Sequence, residues 1–215
     1  MMSHPQSPKP AKLLISLITG EKALFQPAAT HLSERFGEPD MISQWFSFHY
    51  TDYYRTEMGS PLFRRMMGFH DLIAQGDLSR IKCTTNEIES LFSHGAGRRV
   101  NIDPGYLLHE RFVLATGKNF SHRIYIGRGI YADLTLIYTR GEFQPLAWTY
   151  PDYRSEEVIG FLQSARKKYT VDLNAANEPP AAPDGKRAPL ETDYPPTPSP
   201  VDRGDAIDST NPINR

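Results

Sequence analysis

The chain has 215 residues, 39% hydrophobic and 23% charged, with a formal net charge of −1. That length holds one domain with a proper core and not two large ones, and the near-neutral balance argues against a nucleic-acid or anionic-membrane partner. A single cysteine, Cys83, excludes an intramolecular disulfide and a multi-thiolate metal site, and with no signal-like start and no apolar run of bilayer length a cytoplasmic protein is expected.

Residues 1–10 are rich in Pro and Ser and are expected to be disordered. Lys12-Leu13-Leu14-Ile15-Ser16-Leu17-Ile18 has the length and composition of a buried strand, broken by Thr19-Gly20. A helix follows over 21–36, with Leu24, Ala28, Leu32 and Phe36 on one stripe. Pro27 separates or kinks its first turn, and Gly37 and Pro39 stop it. An aromatic strand over 45–50 and a weaker one over 62–69 come next. Asp77 then reads as the N-cap of a helix with Leu78, Ile81, Thr85, Ile88 and Phe92 facing the core. A strand over 99–103 completes a β-α-β-β-α-β series, the ferredoxin-like order.

Beyond it, Asp103-Pro104 reads as the start of a short helix reaching about Thr116, ended by Gly117. Strands over 122–126 and 130–138 flank Gly127-Arg128-Gly129, a strong hairpin signal. Thr139-Arg140-Gly141 turns into a strand over 142–148. The last helix, over 155–169, has Glu156 and Glu157 in its first turn and Arg166, Lys167 and Lys168 in its last, as the helix dipole favours. The sum is one α+β domain over 11–173 with a largely antiparallel sheet and packed helices. Residues 174–215 hold half of the chain's 18 prolines and too few aliphatic residues to seed a core, so a disordered tail is expected. Its Pro195-Pro196-Thr197-Pro198-Ser199-Pro200 reads either as a solvated segment or as a polyproline ligand for a protein partner.

Thr51-Asp52-Tyr53-Tyr54 with Glu57-Met58-Gly59, Lys82 with Thr85-Asn86-Glu87, Arg98-Arg99-Val100-Asn101-Ile102-Asp103-Pro104-Gly105-Tyr106, Ser121-His122-Arg123-Ile124-Tyr125 and Trp148-Thr149-Tyr150-Pro151-Asp152-Tyr153 form a distinctive set. These stretches, spread over nearly the whole folded part, resemble the prokaryotic Domain of Unknown Function family 4416. The resemblance implies no particular activity. Some members carry a GTP-binding label, but this sequence has no Gly-x-x-x-x-Gly-Lys-Ser/Thr loop to support one.

Most familiar catalytic signatures are missing: there is no dinucleotide-binding Gly-x-Gly-x-x-Gly, no His-Glu-x-x-His and no Gly-x-Ser-x-Gly. What remains is a set of polar residues at segment ends. In an alternating strand Asn101 and Asp103 share the face opposite Val100 and Ile102. Beside a helix start they can bind a phosphate or hold a metal-bound water, or Asp103 merely caps the helix. Tyr53 and Tyr54 can stack on a ring while Asp52 fixes a donor, or all three simply form a corner. His122 offers a proton-transfer group, and Arg98 or Arg99 an anion partner. Lys82 and Asn86, one turn apart on the predicted helix, reach either a ligand or solvent.

Two functional readings follow. In the first, the protein is a small-molecule binder or enzyme acting on a phosphorylated or nucleotide-like ligand. Asp103, His122 and Asp52 would be catalytic. Arg99, Lys118 and Arg123 would hold the anionic group, with Asn101 and Asp152 adding hydrogen bonds. Asp52, Glu57 and Asp103 would supply oxygens to Mg²⁺, and Tyr53, Tyr54, Tyr106 and Tyr150 would wall the pocket. In the second, it is a non-catalytic adaptor that uses surface tyrosines and the Pro-rich tail. A nucleic-acid role is disfavoured, because the glycine-aromatic signature of RNA-binding sheets is absent.

Overall fold

Nine consecutive buried residues, Ala11–Thr19, form β1, and β1 is buried because strands pair with it on both sides and helices cover both its faces. In the computed structural model, which describes residues 4–50, 54–93 and 97–177, α1 (Phe25–Phe36) follows a 3-10 turn at Lys22–Leu24. Pro27 falls in the first turn of α1, where its missing N–H costs nothing. Next come β2 (Pro39–Ile42), β3 (Phe46–Phe48), the single-turn α2 (Arg55–Met58), β4 (Leu62–Ile73) and α3 (Leu78–Leu91). The remaining elements are β5 (Val100–Leu107), β6 (Arg111–Thr116), β7 (Arg123–Gly127), β8 (Ile130–Thr139), β9 (Glu142–Pro145) and α4 (Glu156–Asn177). Residues 174–177, expected to begin the disordered tail, are the last residues of α4; the rest of that tail and the roles given to Asp52 and Tyr53 fall on residues outside those described.

The strands make one antiparallel sheet in the order β2-β4-β1-β5-β6-β8-β7, with β3 also on β4 and β9 also on β8. Its first four members are the ferredoxin-like series in the spatial order that fold requires. Alternation assigns the two faces. Leu13, Ile15 and Leu17 pack with Phe25, Leu32, Ile81 and Ile88 under α1 and α3. Leu14, Met66, Leu107 and Phe112 pack with Val158, Phe161, Leu162 and Tyr169 under α4.

Four sequence expectations need correction. The strand over 45–50 is shorter and has a companion, since Pro39, read as a stop, opens β2 on the free edge of β4, where a residue without an N–H is tolerated. Asp77 makes no capping bond; it closes a 3-10 turn with helical backbone and pairs with Arg80. The strand over 142–148 ends at Pro145. The largest change is at 104–116, where no helix forms. β5 runs straight through Asp103-Pro104-Gly105, and a tight turn closed by Leu108 N–H to Arg111 O returns the chain as β6. Asp103 therefore caps no helix, and no helix N-terminus is there to receive a phosphate.

Pro104 is accommodated because β5 is paired unequally. β1 pairs with all of β5, from Val100 to Leu107, whereas β6 pairs only with Gly105, Tyr106 and Leu107. Pro104 is the last residue before that second ladder begins. Gly105 is where the strands meet, and a Cβ there would lie 2.6 Å from the Val113 carbonyl and 2.9 Å from the Phe112 ring. Pro104-Gly105 is thus the crotch of a fork in the sheet. Among the described residues no helix is long and apolar enough to cross a membrane.

Candidate functional site

The fork leaves backbone groups of β5 without a strand partner, and α3 supplies substitutes. Ile102 N–H donates to Glu89 Oε1 at 2.7 Å, and Ile102 O accepts from Lys82 Nζ at 2.8 Å. These are the two groups a neighbouring strand would otherwise satisfy. By alternation Pro104 turns its donor-less nitrogen to the same side. α3 covers the other face of the sheet, so Lys82 and Glu89 reach the α4 side only because β6 has swung away.

A cavity of about 570 Å³ opens at this fork. Asn101 and Asp103 form its β5 wall, and their shared face follows from the alternation. Asn101 Nδ2 donates to Asp103 Oδ2 at 2.5 Å, and Lys82 Nζ to Asp103 Oδ1 at 3.2 Å. Leu114 to Lys118 and Asp133 make the opposite wall; Phe48, Tyr50, Tyr54 and Arg64 close one end, and Tyr150 to Tyr153 another. Arg98, just before β5, donates from Nε to Glu57 at 2.6 Å and from Nη1 to Asn101 Oδ1 at 2.8 Å.

The charges around the cavity balance: Arg64, Lys82, Arg98 and Lys118 face Glu89, Asp103, Asp133 and Asp152. Each cluster is braced from outside. Arg64, 3% exposed, binds Asp152 through Nη2 and lies between the rings of Phe48 and Tyr153, 5.0 and 4.7 Å from its guanidinium carbon. Asp133, 1% exposed, accepts from His122 Nε2 at 3.1 Å, Arg123 Nε at 3.0 Å and the Thr135 hydroxyl. Burial pushes the Glu89 carboxyl above its ordinary range, opposed by Lys82 and reinforced by Asp103. Burial, helped by Asp103, raises the Tyr54 phenol, which stays protonated and able to donate.

Nine of the residues singled out from sequence line this cavity: Tyr54, Lys82, Asn86, Arg98, Asn101, Asp103, Lys118, Tyr150 and Asp152. Five others stand outside its lining. His122 stacks on Trp148 and holds Asp133; Arg123 binds Asp133, Lys118 O and the Tyr150 hydroxyl, so both brace the wall. Arg99 pairs with Glu21 at the surface, and Glu57 pairs with Arg98. Tyr106 is half-buried in the core. Of the three oxygens proposed for Mg²⁺, Asp52 lies outside the described residues, while Glu57 and Asp103 are engaged by different donors. Among the described residues no group of three or more His, Cys, Asp or Glu is placed to hold a metal ion.

The sequence reading missed Arg64, Glu89, Asp133 and Tyr153 as cavity residues. Asp133 left a signal, a carboxylate at an inward position of an alternating strand. Lys82 and Glu89 left another, being seven residues apart beside the core stripe of α3.

The fold and this site define an α+β protein with a charged, aromatic-walled cavity at a fork in its sheet. A family model described as Domain of unknown function (DUF4416) matches residues 9–169, and the chain belongs to that family. No curated protein and no solved structure matches it.

Proposed function

We propose that the protein binds a small molecule in this cavity, a phosphorylated or nucleotide-like compound being the class its lining suits. One observation carries the reading: a void of about 570 Å³ walled by aromatic rings and by charged side chains already held in place, which is the usual make-up of a ligand site. Phe48, Tyr50, Tyr54 and Tyr150 offer faces to a planar ring. Arg64, Lys82, Arg98 and Lys118 offer positive charge to an anionic group. Asp103, its side chain 28% exposed, is the most open of the cavity's ion-paired carboxylates and the one placed to accept from a ligand or exchange a proton with it. A single cysteine fits a reducing compartment such as the cytoplasm.

A thermal-shift screen of nucleosides, nucleotides and sugar phosphates, each with and without Mg²⁺, tests the proposal. A ligand present at 100 times its Kd adds about 2.7 kcal/mol, or roughly 5–10 °C for a domain of this size. One class of compound is expected to stabilise the wild type by such an amount, and Asp103→Asn to diminish the rise. No stabilisation by any compound, or an undiminished rise in the variant, contradicts the proposal.

One separate observation favours an adaptor role. Phe120, Ile124 and Trp148 are 40–71% exposed on or beside the edge strand β7, Phe120 and Trp148 both against the His122 ring, and exposed apolar groups on one face mark contact surfaces. Under that reading Ile124→Lys abolishes capture of a partner that Asp103→Asn leaves intact.

A further inference from the structure

Asp103 borders the cavity with its hydrogen bonding unfinished. Each of its oxygens accepts one donor, Oδ1 from Lys82 Nζ and Oδ2 from Asn101 Nδ2. A carboxylate offers about four lone-pair sites, so each oxygen can accept once more. The group is held on both sides, and its exposed part lines the void. Asn86 lines the same void from α3, one turn beyond Lys82. Its side chain is exposed, and among the described residues no hydrogen bond engages its amide.

These vacancies select a kind of ligand group. A hydroxyl both donates and accepts, and so does the amide of Asn86. A carboxylate with acceptor sites left, near an uncommitted amide, is therefore complementary to hydroxyls. Two oxygens with one site each match two neighbouring hydroxyls. A ring N–H would use the carboxylate and leave the amide idle. Coulomb repulsion turns an anionic oxygen away from a carboxylate. The surroundings agree with a sugar that carries a ring. Tyr54 stands near enough for the Asp103 charge to bear on its phenol. Its ring packs edge-on against Phe48, and Phe48 packs likewise against Tyr50. A planar ring lodged at that end of the cavity brings an attached sugar alongside β5.

We propose that Asp103, with Asn86, seats the cis-diol of a ribose-type sugar, the ligand's ring lying against Tyr50 and Tyr54. This rests on the small-molecule reading above and adds the ligand's orientation: sugar on the β5 wall, anionic group directed away from it.

The test uses the full chain and calorimetric titration of the four ribonucleoside 5′-monophosphates and their 2′-deoxy counterparts. The members of each pair match in charge and differ at the diol. At least one ribonucleotide is expected to bind about tenfold more tightly than its deoxy form, as a hydrogen bond to a charged group allows. Asp103→Asn should bring that ribonucleotide down to the affinity of the deoxy form and leave the deoxy form within about twofold. Asn86→Ala removes an exposed amide with no partner, so it should unfold at the wild-type temperature and narrow the gap about threefold. If Asp103→Asn lowers the unfolding temperature without ligand, Asn86→Ala decides alone. Equal affinities within every pair keep the cavity reading and overturn the diol seat. So does a gap that persists in the deciding variant. An equal loss for both members of a pair in Asp103→Asn also overturns the seat and assigns the carboxylate to the ring's edge. Failure of every nucleotide to bind overturns the seat together with the nucleotide-like reading.

Discussion

Two buried ionic clusters stand at opposite ends of β1, and they are built differently. At one end Lys12, fully buried, donates to Asp40 at 2.8 Å, Asp172 at 2.7 Å and Phe69 O at 2.8 Å, and Lys168 joins the same two carboxylates. The three donors of Lys12 are spent on β2, β4 and α4, and the side chains meet directly. At the other end four cations and four carboxylates surround an open space. The first cluster ties elements together; the second holds charged groups in place around a volume that another molecule can fill. Ion pairing alone does not separate a fastener from a site. The void does.

The sharpest way to break this contrast is to cut each cluster. Lys12→Ala leaves the two carboxylates to Lys168 alone and Phe69 O without its donor, and removing one partner of a buried pair costs about 3–5 kcal/mol. Denaturant unfolding is expected to show a loss of that size with no change in ligand response. A variant as stable as the wild type would remove the fastener role. Next in size is Gly105→Ala at the crotch of the fork, where the added methyl meets backbone at 2.6 Å; overpacking of this kind costs about 1–3 kcal/mol. Its destabilisation by urea melts checks the fork, and an unchanged midpoint would mean that β5 and β6 do not approach so closely.

The smallest effect is in pH, and its sign differs between the clusters. Burial works against ionised Asp40, but hydrogen bonds from Lys12 and Lys168 outweigh it and hold the carboxyl below its ordinary 3.8. That contribution is present above pH 3.8 and is lost as pH falls through the lower folded value. Glu89 is held above its ordinary 4.5, chiefly by burial. The unfolded chain gives up this proton first, so stability falls as pH rises from 4.5 through the raised folded value. Asp40→Asn is expected to flatten the acid limb of a stability–pH profile, and Glu89→Gln the limb above 4.5. Identical profiles for both variants would show that the two ends are not electrostatically distinct.

Much of the fold was legible because it rests on local pattern. The run Lys12 to Ile18, the alternation around Gly127-Arg128-Gly129 and the stripe of α3 each declare their element from adjacent residues. The shared face of Asn101 and Asp103 was legible for the same reason. Asp103-Pro104-Gly105 was misread because Asp-Pro is a good helix start in isolation. Its meaning here depends on β6 pairing with only part of β5, which a local window does not contain. Arg64 was hidden likewise: Arg64-Arg65 looks like a solvated pair, yet alternation sends Arg64 under Tyr153 and Arg65 to Phe25 and Trp45 on the other face. His122 and Arg123 drew attention as chemical groups, but their common partner, Asp133, lies on the neighbouring strand.

The most direct test of the account is an amide NMR titration of the wild-type chain with phenyl phosphate. The account predicts shift changes concentrated at Asn101, Asp103, Thr116, Asp152 and Tyr153, with Lys12, Asp40 and Asp172 still. Changes centred on the Lys12 cluster, or scattered evenly over the surface, would contradict it.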